Sequence, residues 1–297
     1  MLRRGDRRKP PGGTKDDGDV PGRGMGHKAG KCRGREAAGR REAGGRQKVK
    51  VKAYLLDVAR FQQEPMAEGD EFCLLCENLS QGRRQKIGKF RHGKGKALSL
   101  GAGLLLDYGL SRYGLRERDV VIGYGEDKKP YLRDFPGIHF NLSHSGSLAM
   151  AVFADCEVGC DIEKVAVPDM RVAYRFFAAG EVEALKGVEG EKLTEYFFRF
   201  WTLKESFLKV TGKGIRMPLD EFCIRLGPPV RAEQGGRSLG YGFAEYAYPG
   251  YRAALCIEKP EGESWEGAEP EVLSWEQIRQ HVSGIKNNPF QNPLDVI

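Results

Sequence analysis

Residues 148–165 read Leu148-Ala149-Met150-Ala151-Val152-Phe153-Ala154-Asp155-Cys156-Glu157-Val158-Gly159-Cys160-Asp161-Ile162-Glu163-Lys164-Val165. Two short apolar runs, Leu148 to Phe153 and Val158 to Val165, flank a turn around Asp155, so the stretch predicts two strands joined tightly. Strand side chains alternate between faces. In the second strand Val158, Cys160 and Ile162 therefore share one face, and Gly159, Asp161 and Glu163 the other. Acidic residues are depleted in strand interiors, and two carboxylates side by side repel each other. A hard cation gives a reason to place them there: magnesium is usually held by one or two carboxylates, with phosphates and water completing its octahedron. Taken alone, Asp-x-Glu reads more readily as the polar outer face of an exposed edge strand.

Upstream, Val49, Val51, Ala53 and Leu55 alternate with Lys50, Lys52 and Tyr54, the period of a half-exposed strand. A helix is predicted over 70–91, with Phe72, Leu75, Cys76 and Leu79 on one face and the basic run Arg83, Arg84, Lys86 and Lys89 at its end. A second helix is expected over about 96–112, and strands at 120–122 and 138–142. Downstream, the stripe Leu193, Phe197, Phe200, Phe207 and Val210 predicts a long helix over 191–211, ended by Gly212 in a left-handed cap. Trp201, Glu205 and Lys209 run along one side of it, with Lys204 beside them. Glu four residues before Lys is also the ordinary surface ion pair of helices. Strands at 222–226, 241–248 and 251–257 follow. Each part of the chain thus has a small sheet and a main helix, which predicts an α+β fold of two lobes, 49–157 and 158–297. The end around Asn287-Asn288-Pro289 and Asn292-Pro293 reads as a loose polar terminus.

The 297 residues carry a net charge of +7, but sixteen Lys and Arg against six Asp and Glu fall in residues 1–50, which leaves −3 for the rest. Basicity belongs to a glycine-rich, aromatic-free extension over 1–48, expected to be disordered because it has nothing to offset the entropy of ordering. No nucleic-acid partner is expected for the body. No apolar run approaches the roughly 20 residues that cross a bilayer, and Met1 opens no signal peptide, so the expected address is the cytoplasm, without a membrane partner. Seven cysteines are too scattered for a disulfide framework. Cys73-x-x-Cys76 is expected on the apolar face of its helix as small buried hydrophobes, since zinc would need four convergent ligands.

Four fragments stand in order: Lys128-Lys129-Pro130-Tyr131; Asn141-Leu142-Ser143-His144-Ser145; Gly159-Cys160-Asp161-Ile162-Glu163; and Trp201-Thr202-Leu203-Lys204-Glu205-Ser206 with Lys209, Gly212 and Gly214. Together they resemble the Sfp-type phosphopantetheinyl transferases over about residues 50–258. The resemblance implies transfer of the 4′-phosphopantetheine arm of coenzyme A to a serine of an acidic acyl or peptidyl carrier protein, with Mg2+ as cofactor and coenzyme A as substrate. It implies that Asp161, Glu163 and Glu205 hold the metal. Lys129, Pro130, Asn141, Ser143 and His144 would line the coenzyme A site, with Arg83, Lys86 and His144 near its 3′-phosphate. Lys209 would reach the pyrophosphate, and Glu205 is the expected base. The implied fold is two similar α/β lobes related by a pseudo-twofold, with the active site in the cleft between them and no need of a partner subunit, so a monomer. The family has Ile or Val where Cys160 stands, and an arginine after the basic run where this chain has Leu98.

Overall fold

The computed structural model describes residues 49–63, 66–259, 265 and 267–286, so the expectations for 1–48 and for the end beyond 286 lie outside the described residues. In chain order the elements are β1 (Val51–Asp57), α1 (Asp70–Glu77), α2 (Gln81–Gly88), α3 (Gly93–Ser111), β2 (Ile122–Tyr124), β3 (Pro130–Leu132), β4 (His139–Ser145), β5 (Leu148–Ala154), β6 (Val158–Lys164), α4 (Met170–Phe176), α5 (Ala179–Lys186) and α6 (Gly190–Thr211). They continue with β7 (Cys223–Arg225), β8 (Arg231–Gln234), β9 (Arg237–Ser238), β10 (Tyr241–Tyr248), β11 (Tyr251–Glu258), β12 (Glu271–Val272) and α7 (Trp275–Lys286). The fold is mixed α+β, as predicted.

The apolar run at 148–154 becomes the centre of one sheet, ordered β12-β1-β5-β4, while β6 forms the edge of another, β10-β11-β6. Alternation along the strands explains how these sheets are covered. On β1, Tyr54 and Leu56 face α3 and join Phe61, Leu104 and Phe153 in one core, whereas Val51, Ala53 and Leu55 point the other way. There they meet Met150 and Val152 of β5, Val158, Cys160 and Ile162 of β6, and Leu255 and Ile257 of β11, so the two sheets share a core. A third core lies under α6, where Phe200, Leu203 and Phe207 pack on Phe222, Ala254 and Cys256. The main helices α3 and α6 thus cover the outer faces, and the described residues form one compact unit. Each fully buried Leu, Ile, Val, Phe or Met among them contributes about 1.5–3 kcal/mol.

Several expectations are corrected. The helix predicted over 70–91 is broken: Asn78 Nδ2 donates to Leu74 O at 2.8 Å, and Ser80 Oγ caps α2 by accepting from Arg83 N at 3.2 Å. Cys73 is exposed and Cys76 only half-buried, because the two lie a quarter-turn from Phe72 and Leu75, which face the core. No elements are predicted between 258 and 286, where the structure has β12 and α7. β12 pairs in parallel with β1, and Leu273, Ile278 and Val282 join the core beneath α3. The N-terminus of α7 carries a reciprocal cap: Ser274 N donates to Gln277 Oε1 at 2.8 Å, and Gln277 N to Ser274 Oγ at 3.2 Å.

Candidate active site

β4 and β6 run side by side where the two sheets meet, yet they belong to different sheets and share no backbone ladder. Side chains of β4 bridge the gap. Asn141 Oδ1 accepts from Cys160 N at 3.0 Å, Ser143 Oγ from Ile162 N at 3.4 Å and Ser145 Oγ from Lys164 N at 3.1 Å. Alternate residues of one strand meet alternate residues of the other in the same direction, so the motif Asn-x-Ser-x-Ser occupies one face of β4 by strand period.

The carboxylate face of β6 is not the outside of an edge strand. It is roofed by α6, against which Gly159 lies so closely that a Cβ would collide with Ser206 O and stand 2.5 Å from Val210 N. This contact lowers the helix over Asp161. The left-handed Gly212 (φ 64°) ends α6 as predicted. Trp201, Glu205 and Lys209 descend on the cleft side and, with Ser143, His144, Asp161 and Glu163, line a cavity of about 330 Å3.

Lys209 does not pair with Glu205. Its Nζ donates to Asp161 Oδ1 at 2.6 Å and Ser143 Oγ at 3.0 Å, and the Ser143 hydroxyl donates to the same Asp161 Oδ1 at 2.9 Å. Burial disfavours the charged Lys209, but the charge of Asp161, its hydrogen bond and Glu205 outweigh it and raise the pKa. The other oxygen, Asp161 Oδ2, is buried without a hydrogen-bond partner. Burial, then the charge of Asp161, pushes Glu163 up, although Ser145 and Trp201 hydrogen-bond to it. Burial and the charges of Asp161 and Glu163 likewise raise Glu205. Three carboxylates held against their own repulsion, one with an orphaned oxygen, form an all-oxygen donor set suited to a hard dication. Among the described residues no three His, Cys, Asp or Glu side chains close into a ready-made metal shell. Magnesium needs only one or two protein carboxylates when phosphates supply the rest.

His144 stands exposed on the rim, yet the protein crowding its ring, then the charges of Lys209, Lys86 and Arg83, hold its pKa down. The three cations therefore act on one spot. Arg83 is anchored through Nε to Glu117 at 3.6 Å. Lys129, Pro130 and Asn141 line a cavity of about 310 Å3 that shares Leu142, Glu205 and Lys209 with the carboxylate cleft. The ammonium of Lys129 is already engaged: it pairs with Glu157 and donates to Val210 O at 2.9 Å at the end of α6. His139, with Lys129, holds Glu157 down to about 2 despite partial burial.

Lys204 turns away from the cleft. It is fully buried, paired with Glu181 at 2.9 Å, and donates to Leu219 O at 2.6 Å and Phe222 O at 2.8 Å, so all three ammonium protons are used. Glu181 also accepts from Ala178 N and Ile224 N, at 2.9 and 2.6 Å. Burial holds Lys204 below and Glu181 above their ordinary values despite the pairing. The signal was in the sequence: Lys204 lies at i+4 from Phe200 and i−3 from Phe207, on the apolar stripe, where a charge demands a buried partner.

Residues 157–256 match the family described as the 4′-phosphopantetheinyl transferase superfamily. The chain is 33% identical over 187 residues to the 4′-phosphopantetheinyl transferase Sfp of Bacillus subtilis, a match covering 62% of this chain and 84% of that protein. It is 31% identical over 205 residues to the B. subtilis 4′-phosphopantetheinyl transferase ffp, covering 68% and 91%. Among solved structures, a holo-(acyl-carrier-protein) synthase from Bacillus anthracis in complex with CoA (3′,5′-ADP) aligns at 17% identity and a TM-score of 0.32, over 35% of this chain and 97% of that one.

Proposed function

The chain belongs to the 4′-phosphopantetheinyl transferase superfamily, and on that premise we propose how its cleft works. It transfers phosphopantetheine from coenzyme A to a carrier protein. In our reading the acceptor is a carrier serine, whose oxygen attacks the phosphorus bearing the pantetheine arm. The bond from that phosphorus to the bridging oxygen breaks, and adenosine 3′,5′-bisphosphate leaves with the electron pair. Glu205, whose carboxylate lines the cleft beside Lys209, takes the serine proton. Lys209, fixed between Asp161 and Ser143, offsets charge growing on the pyrophosphate. Asp161, Glu163 and Glu205 would hold Mg2+, which when bound supplies further positive charge to the phosphate oxygens.

Arg83 and Lys86 suit the 3′-phosphate, a dianion that their charges attract, while the His144 ring, held toward its neutral form by those same charges, offers an N–H to it. Lys129 and Pro130 line the neighbouring cavity with their stems and backbone, because the Lys129 ammonium is bound elsewhere. All of these side chains come from one compact unit, which supports action as a monomer. No helix among the described residues is long and apolar enough to cross a membrane, and coenzyme A and apo carriers would be met in the cytoplasm. The observation that carries the reading is Asp161, with one oxygen tied to Lys209 and Ser143 and the other buried and unpartnered. The test mixes the protein with coenzyme A and an apo carrier, with Mg2+ or with EDTA, and follows carrier mass. Gain of phosphopantetheine only with Mg2+ is expected; equal gain in EDTA overturns the metal assignment.

A further inference from the structure

We propose that Ser145, the last of the three β4 side chains bridging the sheets, is a positioning residue that fixes the Glu163 carboxylate; this rests on the reading of Glu163 as a metal ligand. The geometry gives Ser145 two simultaneous tasks. Its oxygen accepts from Lys164 N at 3.1 Å, and its proton goes to Glu163 Oε2 at 2.7 Å. One hydroxyl therefore references the glutamate's own side chain to the backbone of the next residue on β6. Ser143 does the same two residues earlier, accepting from Ile162 N and donating to Asp161 Oδ1. The repetition has a geometric origin. Strand period puts Ser143 and Ser145 on one face of β4, opposite the Asp-x-Glu pair that β6 presents at the same interval.

Glu163 needs the tether more than Asp161 does. Asp161 is buried, has a short side chain and is also held by Lys209. Glu163 is only half-buried and carries one more rotatable bond, with Trp201 as its other hydrogen-bond partner. Freezing a glutamate side chain costs roughly 1.5–2 kcal/mol of rotamer entropy. A hydrogen bond made before the cation arrives meets that cost in advance, which is how partners behind a ligand raise metal affinity. A backbone ladder between β4 and β6 would have no hydroxyl to offer. Joining the sheets through serine side chains supplies it.

The experiment titrates the full chain with Mn2+ in the presence of saturating coenzyme A and no carrier, following free Mn2+ by electron paramagnetic resonance. Coenzyme A affinity is measured separately in EDTA by calorimetry. Ser145→Ala is expected to weaken Mn2+ binding about 10-fold or more, the scale for losing a group that orients a ligand, with coenzyme A affinity in EDTA unchanged. Ser145→Thr, which keeps the hydroxyl and suits a strand, is expected to bind Mn2+ within about twofold of the parent. Parent-like Mn2+ binding in Ser145→Ala overturns the proposal. So does equal weakening in Ala and Thr variants, or a parallel loss of coenzyme A affinity that marks a general loosening where the sheets meet. Glu163→Gln separates the two ideas: if that variant binds Mn2+ like the parent, the metal reading itself fails, whereas loss there beside intact binding in Ser145→Ala refutes only the tether.

Discussion

At the residue scale, Asp161 depends on Lys209. An exposed Glu205–Lys209 pair would make Lys209→Ala nearly neutral for stability, a few tenths of a kcal/mol. The pair is instead with Asp161, whose second oxygen already lacks a partner. Lys209→Ala should therefore cut transfer by on the order of a hundredfold or more and also cost about 1–3 kcal/mol through the unpaired buried carboxylate; steady-state kinetics and urea melts read the two. Glu205 behaves the other way. Burial, Asp161 and Glu163 raise its pKa, so between its unfolded and folded values the folded chain binds the extra proton. Stability of the metal-free protein should thus fall as pH climbs from the ordinary carboxylate range up to the raised value, and stay level above it. Glu205→Gln should make that slope shallower, leaving the shares of Glu163 and Glu181, and melt higher than the parent near neutral pH while transferring slowly, as calorimetry across pH would record. The carboxylates and Lys209 were legible as residues because their types and order are specific. Their pairing was not, since helix spacing shows Glu205 and Lys209 as neighbours and is blind to a strand packed beneath.

At the element scale, α6 is set by two contacts on opposite sides, Gly159 under its cleft face and Lys204 locked to Glu181 in its core face. Gly159→Ala has no flexible side chain to displace, only the helix backbone at Ser206 and Val210. Lifting α6 should cost about 1–3 kcal/mol or more and separate Lys209 from Asp161, so guanidinium melts and the transfer rate should fall together. A variant that folds and turns over like the parent would show that the helix tolerates the shift. The strands at 148–154 and 158–164 and the long helix were readable from period and caps. The helix break at 78–80 was not, because an asparagine bonding to its own helix and a serine capping the next are local choices inside an uninterrupted apolar pattern. Helix α7 was not predicted although it carried a readable signal: Ser274 and Gln277 in capping positions ahead of Ile278 and Val282.

At the scale of the whole molecule, the last described elements return to the first sheet. His281 Nε2 meets Asp107 Oδ2 at 2.8 Å, and Trp275 packs edge-on against Phe61 at 4.9 Å between ring centroids. Deleting residues 269–297 strips Leu273, Ile278 and Val282 from the core beneath α3, about 1.5–3 kcal/mol for each, and bares the edge of β1. The truncated chain should lose its cooperative melt and its activity although none of the described residues removed lines the cleft; a truncation that melts like the parent would refute the role given to α7. Sequence patterns could not foresee this closure, because a two-residue parallel strand has too few positions to show a period. The bridge between β4 and β6 also turns chain length into a ruler. Asn141 meets Cys160, Ser143 meets Ile162 and Ser145 meets Lys164, always nineteen residues on. Only the turns at 146–147 and 155–157 set that interval, with β5 between them. One residue inserted in either turn would move every donor amide out of phase and offer the serines the opposite face of β6. Those two turns are therefore intolerant of any change in length, whereas the loop over 226–230, which joins β7 to β8 away from the cleft, is free to grow.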